Sequence, residues 1–323
     1  MRIVYPFPMH ISHGYNYMLS ISQFVNALAK YCPVDLLCLD SKEEVDHFFS
    51  DTLGDRMAPD LNIITISNEI FGIKSNTLFF QNAAKTHIRN LAAQDGEVLV
   101  YSRNLKHTAL LISSLRDDKR VKFAFEPHQI LSQNLCRDSK FKDAERTRKL
   151  ERNVLENVDF LIPITKTLNN EIDLIFNGVT KNRTILPVGV ADKFFIKKIS
   201  PSEYDLIYSG NFSEWKGIDI LLDSLALACK IRPKLSVIFT GAYPEQKLHY
   251  ENKITELGLD HNINFFDRTP HKEGRHQAPR YSANSATDVN ENENSGNNTN
   301  GDLMANFMST LHSTLKEEEE AAQ

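Results

Sequence analysis

Short apolar runs that alternate with longer amphipathic segments are the feature that most constrains how this chain can fold. The runs are rich in Val, Ile, Leu, Phe and Tyr, which is typical of strands buried on both faces. They are Arg2–Tyr5, Val34–Leu39, Asn62–Ile66, Val98–Tyr101, Val121–Phe125, Phe160–Ile164, Thr184–Val188, Tyr204–Tyr208, Leu235–Thr240 and Ile263–Phe266. Strands that alternate with helices form parallel sheets with right-handed crossovers, so we predict an α/β protein.

Helical spacing is clearest in two of the segments between the runs, where apolar residues recur every three or four positions. These residues are Met18, Ile21, Val25 and Leu28 in the first segment, and Ile218, Leu221, Leu222, Leu225 and Cys229 in the second. Each set marks one face of an amphipathic helix, so we predict one helix near the start of the chain and another directly after Lys216.

Two changes of composition divide the 323 residues. A polar stretch that begins at Gly189 separates two strand-rich blocks, so we predict an N-terminal Rossmann-like domain over residues 1–195 and a partial C-terminal Rossmann-like domain over residues 196–272. Residues 273–323 have few large apolar side chains to offset the entropy of ordering. We predict there a polar low-complexity linker and one short amphipathic helix.

Composition excludes several classes of protein. The formal net charge of −5 gives no support for binding nucleic acid through a basic surface. The four cysteines form no CxxC pair and no Cys/His cluster with the spacing of metal ligands, so we expect no metal site. No signal-peptide pattern and no run of about 18 apolar residues occurs, so we expect a cytoplasmic protein. A peripheral contact with the inner face of the membrane stays open.

Four of the loops that follow predicted strands carry candidate site residues, because open α/β sheets bind ligands at the carboxyl ends of their strands. Gly14 follows the first strand, where glycine lets a backbone approach a ligand closely. Arg103 follows VLVY and is a candidate contact for an anion. Glu126 and His128 follow VKFAF, where an exposed histidine can accept a proton or bind a hydroxyl. Ordinary loop and surface roles are the alternative for each of them.

The segment LIYSGNFSEWKGIDILLDSL is the most informative of the chain. A predicted strand ends at Gly210, and Lys216 and Gly217 open an amphipathic helix. The start of a helix offers unpaired N–H groups and the positive end of its dipole, and Lys216 adds a full positive charge. We therefore predict a diphosphate site here. Neither GxGxxG nor GxxxxGK[ST] occurs, which disfavours a dinucleotide-dependent oxidoreductase and a P-loop enzyme.

The ordered segments YPFP, VLVYSRN, FAFEPH, ILPVGV, YSGNFSEWKGIDILLDSL and VIFTGAYPE resemble those of family-4 retaining glycosyltransferases of the GT-B fold, from Met1 to about Arg268. The resemblance implies that the first domain binds the acceptor and the second binds a UDP- or GDP-linked sugar. It also implies transfer with retention to a glycan or lipid-linked acceptor, as in polysaccharide biosynthesis. Such enzymes generally need no metal or other cofactor.

Site residues follow from the resemblance by position. His128 would lie near the reacting sugar as the catalytic candidate, and Arg103 and Glu126 would lie on the acceptor side. The residues assigned to the donor diphosphate are Gly14, Gly210, Asn211, Lys216 and Gly217.

Two departures from the family pattern leave a second hypothesis open. Asn211 stands where the family usually has arginine, and a neutral amide cannot make the charge-assisted bonds of a guanidinium. The two glutamates that the family carries eight positions apart in its second domain have no clear copy here. The alternative is therefore a non-catalytic remnant or partner subunit that acts as a binding module. A sugar epimerase of the same two-domain fold is also compatible with the pattern.

Overall fold

The computed structural model describes residues 1–12, 16–53, 56–66, 69–70, 73–74, 77–179, 182–189, 204–213 and 216–266. These residues form two compact units, one over residues 1–189 and one over residues 204–266. Gly14, the predicted domain boundary at 195/196 and the predicted tail over 273–323 lie outside the described residues.

A parallel six-stranded sheet is the framework of the first unit, with the strand order β3-β2-β1-β6-β7-β8. Its strands are β1 (Arg2–Pro6), β2 (Val34–Cys38), β3 (Leu61–Thr65), β6 (Val98–Ser102), β7 (Val121–Phe125) and β8 (Phe160–Leu161). A separate antiparallel pair joins β4 (Glu69–Ile70) to β5 (Ile73–Lys74). The chain moves from β1 toward one edge of the large sheet and later from β6 toward the other, so the strand order reverses between these two central strands.

Helices cover both faces of this sheet. They are α1 (Asn16–Leu28), α2 (Lys42–His47), α3 (Thr77–Gln94), α4 (Leu105–Leu115), α5 (Leu131–Arg137), α6 (Phe141–Asn157) and α7 (Lys166–Phe176), with a π-helical turn at Phe48–Leu53. Successive strand residues point to opposite faces, so Ile3 packs with α1 while Val4 packs in a second core with α3, α4, α6 and α7. The large sheet is therefore doubly wound.

The second unit contains a smaller parallel sheet of order β11-β10-β9. Its elements are β9 (Leu206–Ser209), α8 (Ile218–Ile231), β10 (Val237–Thr240), α9 (Pro244–Glu256) and β11 (Ile263–Phe266). Phe212 lies at the centre of its core and is only 2% exposed. Its ring centroid lies 5.2 Å from that of Tyr208, 5.3 Å from that of Tyr250 and 5.7 Å from that of Phe239.

The predicted α/β class is confirmed, and so are the two helices inferred from periodicity. Met18, Val25 and Leu28 are buried along α1, and Ile218 and Leu222 are buried along α8. Among the described residues no helix is long and apolar enough to cross a membrane.

One predicted strand is wrong. The run Thr184–Val188 is not a strand, because its pairing with β8 reaches no further than an isolated bridge between Leu161 and Arg183 and a few hydrogen bonds. Thr184 N–H donates to the Leu161 carbonyl at 3.1 Å. Leu161 N–H donates to the Asn182 carbonyl at 3.0 Å, but the next residue on that side of the β8 strand is Pro163, which has no N–H to continue the ladder.

Candidate functional site

The first candidate site lies at the carboxyl ends of β1, β6 and β7. The strand order reverses between β1 and β6, and a reversal of this kind is where open α/β sheets bind ligands. Arg103 directly follows β6, and Glu126 directly follows β7. Because β6 and β7 are hydrogen-bonded neighbours, the two residues are brought side by side. The structure thus places Arg103, Glu126 and His128 together, although each was selected separately from the sequence.

Glu126 is the centre of this cluster. It is 2% exposed, and its backbone N–H donates to the Ser102 carbonyl at 2.9 Å. Its Oε2 accepts a short hydrogen bond from the Tyr101 hydroxyl, and its Oε1 lies 2.7 Å from His128 Nε2 and 2.9 Å from Arg103 Nε. A buried carboxylate is tolerated only when it is paired and hydrogen-bonded, and Glu126 meets both conditions. These contacts make it a positioning group for its neighbours.

His128 is held by Glu126 in one orientation while 38% of its side chain stays exposed. A carboxylate can only accept hydrogen bonds, so the nitrogen that faces Glu126 carries the proton. The hydrogen-bond network thereby assigns the Nε2–H tautomer to the neutral ring, with the lone pair on Nδ1. In that state His128 can accept a hydrogen bond or a proton from a hydroxyl group.

Arg103 closes the other side of the cluster and is itself largely buried. Its guanidinium carbon lies 4.9 Å from the centroid of the Phe24 ring, a cation–π arrangement, and its Nη1 donates to Ser20 Oγ at 3.3 Å. Together with the ion pair to Glu126, these contacts anchor the guanidinium on α1 as well as on the sheet. The positive charge of Arg103 is therefore paired mainly with the Glu126 carboxylate.

Two tyrosines form the floor of the cluster and were not selected from the sequence. The rings of Tyr5 and Tyr101 stack with their centroids 5.8 Å apart. Burial raises the pKa of both hydroxyls, and the nearby Glu126 charge raises that of Tyr101 further, so both stay protonated. Both residues are interior strand positions and look like ordinary core residues in the sequence, which gives no signal for this role.

The second candidate site is the connection from β9 to α8, in the second unit. Gly210 directly follows β9, and Gly217 caps α8 with a left-handed backbone at φ +69°. Lys216 is exposed just before this cap, and its backbone N–H donates to the Ser213 carbonyl at 2.8 Å. The first turn of α8 directs unpaired N–H groups to the same end of the helix. This connection therefore joins a helix N-terminus, a lysine and two glycines.

Asn211 is held by the same connection. Its backbone carbonyl accepts a hydrogen bond from the Tyr208 hydroxyl at 2.7 Å. Its side-chain Oδ1 is buried and has no hydrogen-bond partner among the described residues. An amide fits this partly buried position beside an aromatic core without bringing in a charge.

Gly241 is a site residue that the sequence reasoning missed. It follows β10 and adopts φ +100°, and a Cβ atom built on it would lie 2.5 Å from the Gly210 carbonyl oxygen. Two neighbouring strands thus end in glycines whose backbones touch. A glycine directly after the VIFT strand, in register with the one after LIYS, is the signal that could have found it.

Within the described ranges no group of three His, Cys, Asp or Glu side chains is arranged to hold a metal ion. Gly14 lies outside those ranges, so its predicted place in the site stays a prediction.

The architecture of these two units is that of a GT-B protein. Sucrose-phosphate synthase from Thermosynechococcus elongatus superposes with a TM-score of 0.58 at 15% identity, over 85% of this chain and 72% of that one. The apo lipopolysaccharide outer core galactosyltransferase WaaB gives 0.54 at 14% identity, over 86% and 71%. TarM gives 0.60 at 10% identity, over 84% and 78%. At such identities the likeness shows the fold.

The resemblance to glycosyltransferases is confirmed in the second unit. Residues 190–276 match the family described as "Glycosyl transferases group 1". The matched stretch contains Gly210, Asn211, Lys216, Gly217 and Gly241. No curated protein sequence matches the chain.

Proposed function

We propose that this protein is a retaining glycosyltransferase that moves a sugar from a UDP- or GDP-linked donor to a glycan or lipid-linked acceptor. The observation that carries the proposal is the family match over residues 190–276, because this stretch contains the whole β9–α8 connection. The GT-B fold is consistent with it. Of the proteins of similar fold, WaaB is described as a lipopolysaccharide outer core galactosyltransferase.

The β9–α8 connection would bind the donor diphosphate. Backbone N–H groups at the start of α8 and the Lys216 ammonium supply positive potential without a metal. The close approach of Gly210 and Gly241 leaves no side chain on either backbone to block a phosphate. When the bond between the sugar and the diphosphate breaks, negative charge grows on the leaving group, and a preorganised positive field stabilises it.

The Glu126–His128 pair would act on the acceptor or on the reacting sugar. With the proton on Nε2, the Nδ1 lone pair of His128 can accept a hydrogen bond from a sugar or acceptor hydroxyl. Arg103 would serve mainly to hold Glu126 in place. His128 is the catalytic candidate, and Glu126 and Arg103 are positioning residues.

Calorimetric titration with UDP and GDP tests the donor site, and a sugar-transfer assay tests the reaction. Replacing Lys216 by alanine removes a charge-assisted contact, so we expect the affinity for the preferred nucleotide to fall about 10- to 100-fold. Lys230→Ala is the matched control, because Lys230 is exposed in the last turn of the same helix. Its affinity should match that of the wild type.

The possible results separate the two hypotheses. Sugar transfer that Lys216→Ala weakens and Lys230→Ala preserves supports the proposal. Nucleotide binding without transfer from any donor supports the non-catalytic binding module. If neither nucleotide binds, or if both variants behave as the wild type, the proposed donor site is wrong.

A further inference from the structure

A cavity of about 110 Å³ opens beside His128, within the first unit. It lies between the carboxyl end of β7 and the helices α5, α6 and α7. Arg103, Pro127, His128 and Gln129 contribute polar groups and loop backbone to its lining. Its apolar walls include Phe125, Leu155, Ile172 and Phe176. The cavity thus combines an apolar interior with a histidine that can accept a hydrogen bond.

The apolar walls belong to the core of the first unit. Phe125, Leu155, Ile172 and Phe176 are each less than a tenth exposed, so the space between them is bounded by fixed, packed side chains. The part of the cavity between these four side chains favours an apolar occupant over water, because they offer none of the two to four polar partners that a water needs. The cavity is therefore shaped for a hydrocarbon group.

Glu151 is the acidic side chain of the lining, and its Oε2 is buried with no hydrogen-bond partner among the described residues. Glu151 is 6% exposed, and its Oε1 accepts the backbone N–H of Ser132 at 3.3 Å, at the start of α5. Burial raises the pKa of Glu151, which disfavours its anionic form. A hydroxyl group can hydrogen-bond to the Glu151 carboxyl group whether or not that group is protonated, and Glu126 does not line the cavity and is already paired with Arg103.

Size and polarity together define the ligand. A closed apolar cavity of about 150 Å³ holds one benzene ring, so about 110 Å³ accommodates about four or five carbon atoms. Among the polar groups of the lining is His128, whose neutral ring offers a lone pair at Nδ1 to a ligand that donates a hydrogen bond. A hydroxyl attached to a short aliphatic group meets both requirements.

We propose that this cavity binds a hydroxyl compound with a short aliphatic tail: the tail packs between Phe125, Leu155 and Ile172, and the hydroxyl donates to His128 Nδ1. This inference goes beyond the proposed transferase activity, because it concerns the cavity of the first unit and requires no nucleotide sugar, although it uses the same His128 lone pair that the proposed function assigns to a sugar or acceptor hydroxyl.

A homologous series of 1-alkanols tests the proposal on the full chain. Ethanol, 1-propanol, 1-butanol, 1-pentanol and 1-octanol are titrated into protein with ¹³C-labelled isoleucine and leucine methyl groups. We expect the Ile172 and Leu155 methyl signals to shift. Affinity should rise about threefold to fourfold per added methylene up to 1-pentanol and then level off, because the cavity is full. Glycerol, which has hydroxyls but no tail, should leave these signals unchanged.

Two variants address the two ends of the ligand. Ile172→Phe fills the cavity and should abolish the shift at Leu155, while Ile220→Phe on an exposed position of α8 is the control that should bind as the wild type does. His128→Ala removes the acceptor and should weaken 1-butanol about fivefold while leaving 1-chlorobutane unaffected, since the latter has no hydroxyl to donate.

Three outcomes would overturn the proposal. The first is the absence of any shift at Ile172 and Leu155 in the wild type, a measurement that does not depend on whether Ile172→Phe folds. The second is an affinity that keeps rising through 1-octanol, which would indicate partition onto an open surface. The third is an equal loss of 1-butanol and 1-chlorobutane binding in His128→Ala.

Discussion

Replacing Gly241 by alanine tests the backbone contact that shapes the β9–α8 connection. Gly241 has φ +100°, where an L-residue is strained, and an added Cβ would lie 2.5 Å from the Gly210 oxygen and 2.9 Å from its carbonyl carbon. Both atoms belong to the backbone, so no side-chain rotation relieves the clash. The peptide of Gly210 therefore has to move. This movement disturbs the hydrogen bond that the Gly210 N–H donates to the Thr240 carbonyl at 3.0 Å.

The expected loss of stability follows from two contributions. The positive φ costs about 1 to 2 kcal/mol for alanine. Displacing the Gly210 peptide removes one backbone hydrogen bond, for about 1 kcal/mol more, and also disturbs packing. We therefore expect Gly241→Ala to lower the free energy of unfolding of the second unit by about 3 kcal/mol. Gly258→Ala is the matched control, because Gly258 has φ +69° and an added Cβ there meets nothing within 4 Å. It should cost about 1 kcal/mol.

Urea unfolding followed by tryptophan fluorescence measures the difference between these variants. Trp215 is the only tryptophan of the chain and lies in the β9–α8 connection, so its signal reports this part of the protein. A difference of about 2 kcal/mol between the two variants supports the reasoning. Equal losses for Gly241→Ala and Gly258→Ala would refute it, because they would leave only the positive φ as a cause.

Three further predictions concern buried polar groups of the first unit. Burial, and then the charge of Lys106, lowers the pKa of His107 to about 4 from 6.5. Between these values the unfolded chain binds a proton that the folded chain does not, so the free energy of unfolding should fall by about 2 kcal/mol as the pH falls through this window, and His107→Gln should remove that part of the slope in urea unfolding. Asp40 is fully buried and accepts the N–H groups of Ile11 and Ser12 at 2.6 and 3.2 Å. Asp40→Ala should therefore cost about 2 to 4 kcal/mol and speed hydrogen exchange at Ile11, and unchanged exchange there would contradict this. Tyr101→Phe removes one donor to buried Glu126 and should lower the free energy of unfolding by about 1 to 3 kcal/mol in thermal unfolding; an unchanged stability would contradict this.

Local pattern predicts the elements of this fold but only part of the pairing between them. Apolar spacing was sufficient for α1 and α8, because a helix face is set by residues within the same segment. It was insufficient for Thr184–Val188, because whether an apolar run becomes a strand depends on a partner with free N–H and carbonyl groups. The two-residue strands β4 and β5 are too short to leave a periodic pattern, and the sequence reasoning did not identify them.

For the candidate sites too, the sequence predicts individual residues but not the contacts between them. Arg103, Glu126 and His128 could be selected because each follows a predicted strand, and the parallel order of β6 and β7 then brings them together. That Glu126 joins Arg103, His128 and Tyr101 could not be predicted, since the partners come from neighbouring strands and their loops and not from adjacent positions in the chain. Gly241 was overlooked for the same reason, because its contact with Gly210 exists only across the small sheet.

The burial of Phe212 determines how the β9–α8 connection can respond to a ligand. Its ring is packed among Tyr208, Phe239 and Tyr250, two residues after Gly210 and four before Lys216. The connection is thus anchored at Phe212, so a phosphate bound at the proposed donor site would meet a backbone that is already fixed at this position and would lose little affinity to ordering it there. Because Phe212 keeps the path of the chain, the polar residues next to it can be substituted. New side chains there could alter the nucleotide preference of the proposed donor site without moving the backbone.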